Sequence, residues 1–149
     1  MPAKNVDHDA VIRALVADGW TITDDPLKLE YGDRNLYVDL GAETSAVGAE
    51  KLGRKIAVEI QSFLSASPLR DLEEAVGQYQ VYDAVLSETQ PERQLYLAAP
   101  RRTYETVLTE KIGQLIIARL GLRLLIFDDQ SGRVHRWIES IDTGRSRDR

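Results

Sequence analysis

Apolar positions switch between two periods along this chain, and the switches mark out its elements. From Val6 to Asp18 the apolar residues Val11, Ile12, Leu15 and Val16 fall on one helical stripe, which Asp18 and Gly19 stop. The period then shortens. Trp20–Thr23 reads as a strand, Asp24, Asp25 and Pro26 as a turn, and Leu27, Leu29 and Tyr31 alternate as a second strand. A turn over 32–35 leads into Leu36–Leu40, where Leu36, Val38 and Leu40 alternate with Tyr37 and Asp39. Residues 41–54, rich in small side chains, read as a loop or short helix. In Lys55–Phe63, Ile56, Val58 and Ile60 lie on one face and Ala57, Glu59 and Gln61 on the other.

The helical period returns after Ser67, a capping residue, and Pro68, which fits the first helical position; it runs through Leu69, Leu72, Val76 and Tyr79 to Leu86. Gln94–Ala99 is a short apolar strand stopped by Pro100. Thr103–Leu108 and Lys111–Leu120 read as helices, Gly121 as the cap of the second, and Leu122–Asp128 and Val134–Ile138 as a closing strand pair. The pattern predicts an α+β fold, a mixed sheet with helices packed against it. One domain spans residues 1–139, and 140–149, with no apolar anchor after Ile141, reads as a disordered tail.

At 149 residues and 43% hydrophobic, the chain has material for one ordinary core. It has no cysteine, which removes disulfides, thiol nucleophiles and thiolate metal sites. With two histidines it is short of ligands for a zinc site. It has neither a Gly-x-Ser-x-Gly elbow nor a phosphate-binding glycine loop. The most apolar stretch, Leu115–Phe127, is broken by Arg119, Gly121 and Arg123, too polar for a membrane span. The N-terminal residues lack the apolar core of a signal peptide, so a soluble cytoplasmic protein is expected. Net charge is -5 (19 Lys and Arg against 24 Asp and Glu), the wrong sign for coating nucleic acid non-specifically. Basic residues nevertheless cluster at Arg54–Lys55, Arg101–Arg102 and Arg133–Arg136.

The chemistry lies in the acids. Asp39 ends one strand and Glu59 sits within the next; if the strands pair, their carboxylates converge. Two such groups repel unless protonated or bridged by a cation, and Mg2+ or Mn2+ suits hard oxygen ligands. The carbonyl of Ile60 offers a further oxygen. Gln61, two residues past Glu59, shares its face and can orient a water without carrying charge. Gln78 and Tyr82, at i and i+4 on the long helix, form a polar pair able to reach the same site.

Several segments resemble the XisH family: Asp7–Ala10, Asp18–Thr23, Val38–Glu43, Lys55–Phe63, Gly77–Tyr79 and Arg93–Ala98. The family is named for a cyanobacterial factor controlling excision of a DNA element from the fdxN gene. The resemblance implies a restriction-endonuclease-like core of the PD-(D/E)XK superfamily. Asp39 would match its first acid, Glu59 its second and Gln61 the position usually held by Lys, while Gln78 and Tyr82 resemble a Gln-x-x-x-Tyr helix motif. His8 and Asp9 would approach the site from the first helix, and Glu43 and Glu50 would offer oxygens from the loop after Asp39. His135 reads as a surface residue. DNA would be the substrate, and a second copy or a small XisI-like protein the partner. Two functions follow: a Mg2+-dependent DNA endonuclease, or a non-catalytic nuclease-fold factor that binds DNA or protein and directs a recombinase.

Overall fold

The computed structural model describes residues 6–45 and 53–139. The elements are α1 (His8–Ala17), β1 (Thr21–Asp24), β2 (Leu27–Tyr31), β3 (Arg34–Val38), β4 (Leu40–Glu43), β5 (Lys55–Ile60), α2 (Pro68–Thr89), β6 (Arg93–Pro100), α3 (Arg101–Tyr104), α4 (Lys111–Leu120), β7 (Leu124–Asp128) and β8 (Arg133–Ile138). A six-stranded sheet runs in the order β1-β4-β5-β6-β7-β8, and β2 and β3 form a separate two-stranded sheet. Pairing is parallel at β5–β6 and β6–β7 and antiparallel elsewhere. The α+β class read from the sequence is the observed one.

Local chemistry sets the boundaries. Ser67 Oγ accepts from the Arg70 amide at 3.2 Å, capping α2 above Pro68. Gly121, at φ 61°, closes α4 in the left-handed region that an L side chain disfavours. The long parallel strands are buried on both faces. Ala57, Leu95, Leu97, Ala99, Leu124 and Ile126 pack under α2 and the β2–β3 hairpin. Ile56, Val58, Ile60, Tyr96, Ala98, Leu125 and Phe127 pack under α1. Apolar layers on both sides of one sheet make β5 a central strand.

The structure departs from the sequence pattern in three places. Leu36–Leu40 is not one strand: Asp39 is a bend, Val38 ends the pairing with β2, and Leu40 begins pairing with β5. Residues 41–43 belong to β4 rather than a loop, because Gly41 and Ala42 are buried between β1 and β5. The helix expected at Thr103–Leu108 is shorter and earlier, Arg101–Tyr104, followed by turns. Glu50 and the tail 140–149 lie outside the described residues. Among the described residues no helix is long and apolar enough to cross a membrane.

Two helical glycines make opposite predictions. A Cβ on buried Gly113 would lie 2.2 Å from the Val107 carbonyl oxygen and 2.7 Å from Leu108 Cα. Backbone cannot yield as a side-chain tip can, so Gly113→Ala is expected to cost about 1–3 kcal/mol despite the better helix propensity of Ala. At Gly77, within α2, nothing lies within 4 Å of the added carbon. Gly77→Ala should stabilise by about 0.8–1 kcal/mol. Urea unfolding midpoints of the two variants, moving in opposite directions, check both.

Candidate functional site

The bend at Asp39 builds the site. Where β3 leaves the hairpin and β4 enters the sheet, the chain turns the Asp39 side chain toward the end of β5. Asp39 Oδ2 accepts from the Ile60 amide at 2.8 Å, and the Asp39 amide donates to Glu59 Oε1 at 3.2 Å. Each acid thus binds the backbone beside the other, which fixes both and brings the carboxyls close enough to share a proton. The Ile60 amide is taken by Asp39, which leaves the proposed role of its carbonyl untouched.

Glu59 is buried at 7% exposure. Burial, and then the charge of Asp39, pushes its carboxyl up to about 8. Asp39 is also raised, mainly by burial, against the opposing effects of the Ile60 amide and His8. The pair holds more negative charge than its surroundings neutralise, an arrangement that calls for a proton or a cation. Tyr82 is raised too, first by burial and then by the charges of Glu59 and Asp39, so its phenol lies within their field.

The other expected residues divide. His8 is buried, its Nε2 lies 2.8 Å from Asp25 Oδ1, and both groups act on Asp39. Asp9, the next residue, is exposed. Gln61 follows β5, half-buried, its backbone N–H donating to the Ala98 carbonyl at 2.9 Å. Gln78 is exposed one helical turn before Tyr82, and of the two it is Tyr82 that the carboxylates perturb. Glu43 does not join the site. It sits at the far end of β4, opposite Thr21 and Lys55, about 13 Å of strand from Asp39. His135 is exposed, as expected.

Sequence reasoning missed Asp25. Asp24–Asp25–Pro26 carried only a turn signal, and nothing in that pattern shows that the turn lies against the first helix. Among the described residues no group of three His, Cys, Asp or Glu gathers as a metal cluster. Asp39 and Glu59 are two hard carboxylates, the ligand type that suits Mg2+ or Mn2+, which take few protein oxygens and keep several waters.

The XisH protein family model matches residues 1–135. An XisH family protein from Nostoc punctiforme PCC 73102 is 38% identical, with a TM-score of 0.82 over 91% of this chain and 100% of that one. A fdxN element excision controlling factor protein from Anabaena variabilis is 36% identical, with a TM-score of 0.81 over the same shares, 91% and 100%. Among curated proteins nothing matches. A family match over most of the chain, with solved relatives of the same fold at this identity, leaves one assignment: the chain belongs to the XisH family.

Proposed function

We propose that this protein acts in the controlled excision of a DNA element, through a Mg2+- or Mn2+-dependent phosphodiester-hydrolysing site on Asp39 and Glu59. The observation that carries the reading is the cross-bonded carboxylate pair, with Glu59 raised to about 8. Excision control is what the Anabaena variabilis relative is named for. A bound divalent cation would supply a Lewis acid for a phosphoryl oxygen and lower the pKa of a bound water.

The chain's own residues do the rest. The Ile60 amide fixes Asp39, and the Asp39 amide fixes Glu59, so both acids are oriented before any ligand arrives. Gln61 offers a neutral hydrogen-bonding group to a water on the Glu59 face. Tyr82, raised above its ordinary value, remains a phenol and an O–H donor at neutral pH. Asp25 holds the His8 ring beside Asp39.

A second reading, a non-catalytic nuclease-fold factor that binds DNA or protein and guides a recombinase, is favoured by one residue. Gln61 is neutral where an ammonium would help most. Incubating the protein with supercoiled plasmid, in Mg2+ and in EDTA, separates the two. Nicking only in Mg2+ is expected; no nicking at any protein concentration would select the second reading.

A further inference from the structure

The sequence sets Arg13, Arg102, Arg133 and Arg136 in separate segments, and the fold brings them to one end of the sheet's strands. The parallel strands β5, β6 and β7 end there, at Ile60, Pro100 and Asp128, and β8 begins there at Arg133. Arg102, just past the end of β6, donates from Nη2 to the Ser62 carbonyl at 2.7 Å, one residue beyond Gln61. Arg136 donates to the Tyr104 hydroxyl at 2.9 Å, and its guanidinium lies 5.2 Å from that ring's centroid. Arg133 is exposed opposite Asp128. Arg13 of α1 lies over the same turn, since a Cβ on Gly132 would sit 3.3 Å from its Nε.

The partners of these side chains matter more than their number. Among the described residues none of Arg13, Arg102, Arg133 and Arg136 forms an ion pair. Arg102 is held by a carbonyl, and Arg136 by a phenol and its ring. Both are fixed by neutral groups and keep their full charge. Of the acids nearby, Glu105 and Asp128 both pair with Arg101, at 3.0 and 3.3 Å, while Asp129 of the same turn is exposed. In a chain of net charge -5, this leaves a local positive strip next to the carboxylate pair.

The geometry points to this strip as a seat for a phosphodiester backbone, running across the strand ends from Arg133 through Arg136 and Arg102 toward Glu59, with Arg13 flanking it from the α1 side. Its direction rests on the proposed phosphodiester site; the strip itself rests on the arginines. From β5 to β8 is three strand spacings, about 14 Å, the axial length of about four base pairs. All four cations are Arg, whose planar fork matches phosphate oxygens, and two are pre-positioned.

The test is binding of a fluorescein-labelled 20-bp duplex by anisotropy, in EDTA, across a salt series. Arg102 is left intact because it holds the Ser62 carbonyl. Arg133→Gln/Arg136→Gln should lower the salt slope by about 2 and weaken binding about 60-fold at 0.1 M salt, with a melting temperature lowered by no more than about 5 °C for the lost Tyr104 contact. Arg34→Gln/Arg119→Gln, at the hairpin tip and the end of α4, removes equal charge elsewhere and should change little. Equal loss in both double variants, or none in the first, overturns the strip. Competition by polyglutamate on equal terms with duplex would also overturn it, in favour of an acidic protein. Because binding is measured in EDTA, duplex binding through the strip without plasmid nicking in Mg2+ would defeat the proposed hydrolysis and leave the strip standing. Mg2+-dependent nicking with unchanged binding in Arg133→Gln/Arg136→Gln would do the reverse.

Discussion

Gln61→Lys is expected to raise Mg2+-dependent nicking of supercoiled plasmid by about 10²–10³. The basis is the place of Gln61, half-buried at the end of β5 and two residues past Glu59. A neutral amide can align a water but gives little to the negative charge that grows on a phosphoryl oxygen. An ammonium there adds a charge-assisted contact made mainly in the transition state, of the kind typically worth about 3 kcal/mol. The gain must depend on the carboxylates, so Asp39→Ala in the Gln61→Lys background should return nicking to the level seen in EDTA. Rates from gel densitometry of the open-circular product decide it. A wild-type rate that falls in Gln61→Lys would show that the amide is fitted to its own water and that positive charge is not what the site lacks.

The same residues show how far a sequence can carry such a site. Asp39 and Glu59 were legible because strand alternation put them on neighbouring segments, and the structure brings them together. The alternation also misled. Leu36, Val38 and Leu40 keep a period of two straight through Asp39, so nothing marks the bend there. That bend is made by tertiary partners: β2 claims Val38, β5 claims Leu40, and the Ile60 amide claims the carboxylate between them. Glu43 failed for the same reason. A stretch of small residues reads as a loop, yet Gly41 and Ala42 are small because they are buried between strands, and the strand carries Glu43 away from Asp39. Asp25 read only as part of a turn and Arg102 only as part of a basic pair, since each acts through a residue distant in sequence, His8 in one case and Ser62 in the other. Periodicity reports which face a residue takes; which segment lies against that face is a property of the whole chain.

Without a divalent cation the carboxylate pair should make the protein less stable as pH rises, and Glu59→Gln should remove most of that loss. In the folded protein Glu59 is raised from an ordinary 4.5 to about 8, while in the unfolded chain it titrates normally. Between those values the folded state holds a proton that the unfolded state has released. Stability therefore falls as pH climbs from about 4.5 to about 8 and levels off above, by an amount on the order of a few kcal/mol. Asp39, raised as well, pushes in the same direction. Glutamine keeps an oxygen for the Asp39 amide and cannot ionise. Urea unfolding in EDTA should find Glu59→Gln more stable than wild type at pH 9 and about equal to it at pH 5. Added Mg2+ should then stabilise the wild type at pH 8 more than the variant, because the cation binds the ionised pair of the folded state. Equal pH profiles for the two proteins in EDTA would show that the pair is not strained by its own charge, and the case for a cation between Asp39 and Glu59 would lose its electrostatic basis.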